Sequence, residues 1–290
     1  MRTAFLGTSD FAAAVLERLA ASAHRPVLVV TRPDRPRGRG RRLAPPPVAD
    51  AARCLGLALA QPEDVNAPEA RAQLAAAAPD AVLVCAFGAL LGAELLSAHA
   101  PLNVHPSLLP RWRGAAPIER ALMAGDARTG VCIMRMTAGL DSGPVCLAAE
   151  EPIAAQDTYG TLAVRLRERG GDLLVRALDE RPSCAEQPET GVTYAERIVA
   201  ADRALDPARP PEANERIVRA LHPHIGARAA RDGEGWLGVH RAALVEPGRT
   251  GALRVEDGRL LLGGIELLEV QPPGGRAMTA REYLRGRALP

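Results

Sequence analysis

Apolar runs and helically spaced apolar residues alternate along the first part of the chain. The clearest run, residues 81–85, is short and continuous, which is typical of a strand covered on both faces. Residues 10–21 instead carry apolar side chains at helical spacing, and Ser9 or Asp10 can cap the N-terminus of the helix that they predict. This alternation predicts an α/β fold with a parallel, Rossmann-like sheet. The predicted strands span residues 3–6, 27–30, 57–60, 81–85, 102–105, 131–134 and 145–153, and the predicted helices span residues 10–21, 48–55, 68–78, 115–124 and 162–180.

The pattern changes after residue 206. Short apolar segments separated by Gly and Asp follow one another, which is typical of strands joined by tight turns and predicts a small β-barrel. Four prolines between residues 188 and 211 favour a bridge between domains. We therefore divide the chain into domains at residues 1–182 and 206–290, with a linker at 183–205. The strands predicted in the last part span residues 227–230, 238–245, 252–255, 259–262 and 265–270, between helices at 214–221 and 278–284.

Length and composition restrict the class of protein. With 290 residues, 47% of them hydrophobic, the chain can bury a sizeable core, and a disordered chain is excluded. No apolar run approaches the roughly 20 residues that cross a bilayer. Residues 1–7 also lack the long apolar segment of a signal peptide. We expect a soluble, cytoplasmic monomer without a membrane partner.

Cysteine and histidine spacing argues against a structural metal or disulfides. The five cysteines are widely spaced and form no C-x-x-C motif, so neither a disulfide framework nor a zinc site is predicted. His222 and His224 flank a proline with no third ligand in view, which favours a loop over a metal site. We expect no metal.

One strand end carries the side chains with the clearest chemistry. Asn103 and His105 lie two residues apart at the end of a predicted strand, so their side chains share a face. Asp141 follows in a Gly-flanked turn after the next strand, where a return of the chain can bring its carboxylate beside His105. These groups suit acyl transfer without a covalent enzyme intermediate, because no recognisable motif places a Ser or Cys as nucleophile. The alternative is that Asn103 and His105 close a strand end and Asp141 caps a turn.

A basic segment is the main charge feature. The chain has no lysine, so all 36 basic residues are Arg, although the net charge is only +2. Residues 32–42 combine six Arg and one Asp with Pro and Gly, which predicts a mobile loop rather than a helix or a central strand. Such a loop either contacts nucleic-acid phosphates and becomes ordered on binding, or is a solvated surface loop. Its arginines are Arg32, Arg35, Arg37, Arg39, Arg41 and Arg42.

Several motifs together resemble a known family. They are Asn103-x-His105, Ser-Leu-Leu-Pro over residues 107–110, Arg-Trp-Arg-Gly-Ala-Ala-Pro-Ile over residues 111–118 and Gly-Leu-Asp-Ser-Gly over residues 139–143. In this combination the chain resembles the folate-dependent formyltransferases over nearly its whole length, and least over residues 206–290. The form of the 111–118 motif is similar to that of the members that act on methionyl-tRNA.

The resemblance implies an enzyme that transfers the formyl group of 10-formyltetrahydrofolate to the amino group of methionine on initiator methionyl-tRNA, for translation initiation. It implies that Asn103, His105 and Asp141 are catalytic, with His105 either protonated to stabilise an oxyanion or neutral as a general base. The basic segment resembles an insertion loop that approaches the acceptor end of the tRNA, with Arg39 as its central position. The C-terminal domain resembles an OB-like module that contacts tRNA.

The resemblance also implies which residues hold the folate co-substrate. Two short segments are involved, the end of the strand at 81–85 and the loop after His105, and for the first of them core packing is the alternative. The residues are Phe87, Gly88, Leu90, Ser107, Leu108, Leu109 and Pro110. Pro106 stands where such enzymes often carry Gly, and its ring removes a backbone donor from the loop.

Four other functions fit parts of the same pattern. A glycinamide ribonucleotide formyltransferase or a sugar-nucleotide formyltransferase would share the three catalytic residues. The glycinamide ribonucleotide enzyme, however, generally has no comparable basic loop or C-terminal barrel. A formyl-folate hydrolase would release formate without an acceptor, and a catalytically idle RNA-binding protein would not need the intact trio.

Overall fold

The structure is a computed structural model that describes residues 1–37, 40, 42–231 and 235–285. Helices and strands alternate through its first 180 residues. In chain order they are β1 (Thr3–Gly7), α1 (Asp10–Ala20), β2 (Pro26–Val30), β3 (Arg35–Arg37), β4 (Arg42–Ala44), α2 (Pro47–Cys54), β5 (Leu59–Ala60), α3 (Pro68–Ala76), β6 (Ala81–Cys85), α4 (Ala93–His99), β7 (Leu102–His105), β8 (Arg113–Gly114), α5 (Pro117–Ala124), β9 (Arg128–Arg135), β10 (Val145–Pro152) and α6 (Tyr159–Glu180).

Short strands dominate the rest of the chain. The strands are β11 (Tyr194–Ala195), β12 (Ala204–Leu205), β13 (Ala227–Arg231), β14 (Gly235–Leu244), β15 (Leu253–Glu256), β16 (Arg259–Leu262), β17 (Ile265–Gln271) and β18 (Met278–Thr279). Two α-helices lie among them, α7 (Pro211–Leu221) before β13 and α8 (Ala280–Leu284) after β18. The chain divides into two compact units. The first comprises residues 1–114, 129–151 and 163–194, and the second comprises residues 115–128, 152–162 and 195–290. The domain boundaries proposed above at residues 182 and 206 stay a prediction.

The first unit contains a seven-stranded sheet in the order β10-β9-β7-β6-β1-β2-β5. The pairs β5–β2, β2–β1, β1–β6 and β6–β7 are parallel, and β7–β9 is antiparallel. The predicted α/β, Rossmann-like arrangement with a mainly parallel sheet is therefore confirmed. β6 has the predicted bounds, and its last four residues are buried, as its continuous apolar run required.

The first β-strand and helix show how the sequence dictates this packing. Ser9 caps α1 by accepting a hydrogen bond from the amide of Ala12, and Val15, Leu16 and Leu19 are buried on the inner face of the helix. A cap of this kind is worth about 1 kcal/mol. Gly7 is required between them, because a Cβ there would lie 2.7 Å from the Phe5 ring. The tight strand-to-helix turn thus brings α1 onto the sheet.

Two parts of this unit differ from the prediction. The short helix α4 was not predicted, since it has no side-chain cap and buries only Leu95, so it leaves little periodic signal. The basic segment is not simply a loop, because β3 and β4 pair antiparallel as a hairpin with Arg35 opposite Ala44. That hairpin is a separate two-stranded sheet, so Pro36 disturbs no central ladder.

The prediction that no disulfide forms was wrong, because Cys146 and Cys184 are joined. Val145 and Ala185 exchange backbone hydrogen bonds of 2.8 and 2.9 Å. Their neighbours Cys146 and Cys184 therefore face each other as the next pair of an antiparallel ladder. Spacing alone could not reveal this, since the two residues are 38 positions apart. Of the other cysteines, Cys54 is exposed, and Cys85 and Cys132 are buried.

The second unit contains an open sheet in the order β12-β13-β14-β17-β16-β15, with β18 paired to β17. Helices α7 and α8 pack on it and close a core that includes Leu221, Leu237, Ile265 and Tyr283. The predicted β-rich C-terminal part is therefore present. Within the described ranges no strand pairing joins β12 to β15, so an OB-like barrel is not established by this sheet.

The His222 and His224 pair also lies in the second unit. His224 Nε2 lies 3.0 Å from Glu119 Oε1, and its ring stacks on Tyr159 with 3.7 Å between centroids. In the part of the chain that the structure describes, no group of three or more His, Cys, Asp or Glu residues is arranged to hold a metal ion. The same residues include no helix that is both long and apolar enough to cross a membrane.

Candidate active site

Two of the predicted site residues lie on β7, where the sheet fixes their positions. β7 pairs with β6 on one side and with β9 on the other, where Asn103 is opposite Met134 and His105 is opposite Cys132. Because side chains alternate along a strand, Asn103 and His105 project from the same face. They are only 9% and 3% exposed, respectively, so a reacting group would meet them in a largely water-excluded setting.

The hydrogen bonds of His105 define one of its protonation sites. Its Nε2 lies 2.9 Å from the backbone carbonyl oxygen of Trp112. A carbonyl oxygen can only accept, so Nε2 carries a proton in both the neutral and the charged form of the ring. Nδ1 faces Asp141 Oδ2 at 3.7 Å. It is therefore the ring nitrogen that can gain or release a proton at the site.

Asp141 completes the group from a turn. Its Oδ2 accepts a hydrogen bond of 2.9 Å from the amide of Gly114, and its Oδ1 lies 3.5 Å from Asn103 Nδ2. The structure thus brings the carboxylate to both side chains of the strand end, as predicted from the sequence order. Asn103 Nδ2 carries two hydrogens, and its second N–H has no protein partner among the described residues.

The turn that carries Asp141 is held in an unusual backbone conformation. Asp141 has φ = 42°, in the left-handed region that costs an L residue roughly 1–2 kcal/mol. The hydrogen bond from Gly114 to its carboxylate, of a type worth about 1.5–3 kcal/mol, is enough to offset that cost. Gly143 closes the turn against β9, where a Cβ would lie 1.9 Å from the carbonyl oxygen of Arg135. No other residue type fits at that position without moving the turn.

The loop after His105 is ordered by its own hydrogen bonds. The Ser107 hydroxyl donates 2.6 Å to the carbonyl of Arg111, and the side chain is fully buried, so this hydroxyl supports the loop from inside. Leu108 packs over Gly130, where a Cβ would lie 2.5 Å from Leu108 Cδ2. Leu109 and Pro110, joined by a cis peptide bond, remain partly exposed. The loop therefore offers a part-apolar surface beside the strand end.

The segment after β6 combines core and surface residues. Phe87 is 4% exposed, and its ring packs in the core with Leu91 and Leu95. This is the alternative role, core packing, that the sequence left open for Phe87. Gly88 has φ = 75° and no atom within 4 Å of the place of a Cβ. Leu90 is 86% exposed. An exposed leucine and an open glycine next to a buried strand end are available to a flat ligand.

The two buried thiols of this unit, Cys85 and Cys132, are not set up as nucleophiles. Burial raises the pKa of the Cys132 thiol to about 11, and burial raises the pKa of Cys85 further still. Both thiols are therefore neutral near pH 7, whereas the thiolate is the reactive form. The arrangement of an amide, an imidazole and a carboxylate suits direct transfer of an acyl group to an incoming amine.

Residues 1–178 match the family model described as formyl transferase. Curated relatives extend the match to the whole chain. The methionyl-tRNA formyltransferase of Halorhodospira halophila is 46% identical, over 99% of this chain and 97% of the relative. That of Ruegeria pomeroyi is 43% identical, over 100% of this chain and 98% of the relative.

The chain belongs to the methionyl-tRNA formyltransferase family.

Solved structures of other formyltransferases and of HypX share the fold. HypX from Aquifex aeolicus in complex with tetrahydrofolic acid is 16% identical with a TM-score of 0.67, over 98% of this chain and 47% of HypX. The chain thus spans about half the length of that protein. The methionyl-tRNA formyltransferase from Clostridium thermocellum is 14% identical with a TM-score of 0.60, over 92% of this chain and 98% of the other. At these identities the likeness shows the fold alone.

The basic segment of this formyltransferase is only partly described. Arg35 forms an ion pair with Glu63 at 2.7 Å, and Arg42 is exposed on β4. Arg39, Arg41 and the side chain of Arg37 lie outside the described residues. Arg32 precedes the hairpin and is partly exposed. The nucleic-acid-binding role of these six arginines stays a prediction.

Two contributors to the formyltransferase site were not among the predicted site residues, although Trp112 lies within the 111–118 motif. Trp112 supplies the carbonyl that accepts from His105, with its own backbone at φ = 63° and its amide bonded to Thr193 Oγ1 at 2.9 Å. Gln187 donates to the carbonyl oxygens of Asp141 and Gly143, both at 2.8 Å. Gln187 follows Asp141 by 46 positions, so no local motif could have linked them.

Proposed function

We propose that the protein transfers the formyl group of 10-formyltetrahydrofolate to the amino group of methionine on initiator methionyl-tRNA. Membership of the family supports the reaction class. The observation that carries the proposal is the contact of Asp141 with both Asn103 and His105, at 3.5 and 3.7 Å. These three side chains are our proposed catalytic residues.

In the proposed reaction, the neutral amine of methionine attacks the formyl carbon. Negative charge develops on the formyl oxygen as the new C–N bond forms. Asn103 Nδ2 has a second N–H to donate to that oxygen, and a protonated His105 supplies Nδ1–H as a charged donor. Asn103 and His105 thereby stabilise the transition state more than the ground state.

Asp141 has two tasks in this scheme. It lies 3.7 Å from Nδ1, so it orients the imidazole ring toward the strand end. It also provides an acceptor through which the proton lost by the attacking amine can pass to the leaving folate nitrogen. A neutral His105, with Nε2 protonated and Nδ1 unprotonated, would instead take the proton from the amine. Both schemes use the same ring nitrogen.

The folate co-substrate supplies the activated formyl group when bound. The residues proposed to hold it are Phe87, Gly88, Leu90 and the Ser107–Pro110 loop. The exposed Leu90, the open Gly88 and the partly exposed Leu109 and Pro110 suit a flat, partly apolar ring system. Phe87 and Ser107 act from the core side, since both are buried.

The tRNA would be held by two parts of the chain. The arginines of the basic segment, with Arg39 at its centre, are proposed to contact phosphates near the acceptor end. Residues 206–290 are proposed to be an OB-like domain that contacts tRNA, joined through residues 183–205 to a catalytic domain at residues 1–182. Replacing Arg39 with Ala should raise the KM for tRNA and lower the salt dependence of binding by about one phosphate contact. An unchanged tRNA reaction would remove the basic segment from the proposal.

The deciding experiment follows labelled formyl from 10-formyltetrahydrofolate to four acceptors in parallel. They are initiator methionyl-tRNA, elongator methionyl-tRNA, glycinamide ribonucleotide and water alone. We expect label largely on the initiator. Label on the small amine, or release of formate without an acceptor, would retain the formyl chemistry and reject the proposed acceptor. No transfer in any arm would reject the function itself.

A further inference from the structure

Gln187 uses its whole side-chain amide to hold the turn that carries Asp141. Its two Nε2 hydrogens go to the carbonyl oxygens of Asp141 and Gly143, each at 2.8 Å. Its Oε1 accepts from Arg113 Nε at 3.0 Å and from the NH2 group of the same guanidinium at 2.8 Å. Both donors and both acceptor positions of the amide are therefore used.

This pattern requires a neutral amide in one orientation. The nitrogen must face two carbonyl oxygens, and the oxygen must face two guanidinium donors. A flipped amide would put donor against donor and acceptor against acceptor. A carboxylate would keep the Arg113 contact but would turn an oxygen toward the carbonyls of Asp141 and Gly143. Glutamine therefore matches its surroundings in a way that glutamate does not.

The hydrogen bonds form a closed circuit around the Asp141 carboxylate. The Gly114 amide donates to Asp141 Oδ2 at 2.9 Å, and Arg113, its neighbour in the chain, binds Gln187. Gln187 then returns to the carbonyl of Asp141. The circuit fixes both ends of Asp141, which its left-handed backbone at φ = 42° would not do unaided.

The segment that carries Gln187 is itself anchored. Val145 and Ala185 exchange backbone hydrogen bonds, and Cys184 is joined to Cys146 at the start of β10. Gln187 is two residues from Ala185, so its amide is presented from a cross-linked piece of backbone. Further along the same segment, the carbonyl oxygen of Thr193 accepts a hydrogen bond of 2.9 Å from the backbone amide of Arg113.

From this geometry we infer that Gln187 is a positioning residue for the formyl transfer, acting through the backbone of Asp141 rather than on the substrate. The inference rests on the proposed function, since it assigns Asp141 its catalytic task. Without Gln187 the turn relaxes, and the carboxylate leaves its place 3.7 Å from His105 Nδ1. Displacements of about 1 Å in a catalytic group can cost on the order of 100-fold in rate.

The test compares Gln187→Met, Gln187→Glu and wild type in formyl transfer to initiator methionyl-tRNA. Met keeps the length of the side chain and removes all four hydrogen bonds, whereas Glu keeps only those from Arg113. We expect both variants to lose about 10- to 100-fold in kcat with KM for both substrates little changed. Gln73→Met, an exposed glutamine on α3, is the matched control and should retain wild-type kcat.

Each result decides between two roles. Wild-type kcat in Gln187→Glu would overturn the inference, because Gln187 would then serve Arg113 alone. If Gln187→Met fails to fold in a thermal melt, Gln187→Glu decides by itself. A rise in KM at constant kcat would also reject positioning in favour of a binding role. Absence of transfer by the wild type would be a failure of the proposed function, which is a separate outcome.

Discussion

Asn103 and His105 are held by the sheet itself, whereas Asp141 is held by hydrogen bonds that come from outside its own turn. β7 has a neighbour on each side and buried side chains, so its two polar residues keep their place as long as the sheet folds. The turn at Asp141 depends instead on the Gly114 amide and on Gln187. The strand end should therefore respond to mutation mainly through chemistry, and the turn through geometry.

The largest effects are expected at the three side chains themselves. Replacing Asn103, His105 or Asp141 with Ala should each lower kcat by on the order of 100- to 1,000-fold, because each removes a group aimed at developing charge. Each variant should still fold, although the loss of the Trp112 contact in His105→Ala and of the Gly114 contact in Asp141→Ala should each lower stability by about 1–3 kcal/mol. Single-turnover formylation measures the loss. Near-normal turnover in all three variants would remove the proposed site.

The second prediction concerns the turn alone. Gly143→Ala puts a Cβ 1.9 Å from the carbonyl oxygen of Arg135, so the turn must shift. We expect kcat to fall about 10- to 100-fold, as for any small displacement of a catalytic group. Gly56→Ala is the control, because Gly56 has a positive φ of 64°, which strains an added side chain, but nothing lies within 4 Å of the added carbon.

That control measures the effect of backbone strain without displacement of a neighbour. Gly56→Ala should cost stability and leave kcat intact, since a strained residue costs of the order of 1 kcal/mol wherever it lies. If Gly143→Ala and Gly56→Ala have equal kcat, the turn is not geometrically critical. The contrast between strand end and turn would then fail.

A smaller effect is expected from the disulfide behind the turn. Replacing Cys146 and Cys184 together with Ser should lower the free energy of unfolding by about 2–4 kcal/mol, because the cross-link constrains the unfolded chain. Denaturant unfolding with and without a reductant measures this. We expect kcat to fall less than in Gln187→Met, since the Val145–Ala185 hydrogen bonds remain. Wild-type protein that is equally stable with and without reductant would contradict the cross-link.

The smallest effect is expected from the thiols in the strands. Burial raises the pKa of Cys132 to about 11, so the folded thiol is neutral at pH 8. Native protein treated with iodoacetamide at that pH should carry the label at Cys54, and Cys85 and Cys132 should react only after unfolding. Peptide mass spectrometry reads the sites. Rapid labelling of Cys132 in the native state would show that its thiol is accessible to the reagent in the folded protein, which would contradict the prediction.

The same shift fixes the sign of a pH effect on stability. A thiol whose pKa is higher in the folded than in the unfolded chain stabilises the fold fully below the unfolded pKa. That contribution is lost as the pH rises toward about 11, the folded value for Cys132. Cys132→Ala should therefore flatten the alkaline part of the stability profile without moving its neutral part.

Local patterns predicted the parts of the fold that local forces decide. The continuous apolar run of β6 was predicted to the residue, and Ser9 was among the two caps considered for α1. The order of Asn103, His105 and Asp141 also sufficed, because strand alternation and one return of the chain bring them together. In each case the signal lies within a few residues or within one supersecondary unit.

Contacts made across long stretches of chain could not be predicted in this way. Gln187 and the Cys146–Cys184 bond depend on a ladder between residues some 40 positions apart, which no periodicity encodes. The β3–β4 hairpin was missed because Arg, Pro and Gly give weak strand propensity, although a two-stranded surface pair tolerates them. The binding roles of the arginines and of the folate residues stay predictions.

The register of β7 determines which side chains of the strand face the site, and therefore which sequence changes preserve the site. Asn103 and His105 face the site only because their partners across β9 are Met134 and Cys132. A shift of the whole of β7 by one residue would turn Val104 toward the site and both polar side chains away from it, and deleting Val104 would put Asn103 and His105 on opposite faces. Point substitutions in this strand therefore keep its register, whereas one added or removed residue changes which side chains face the site.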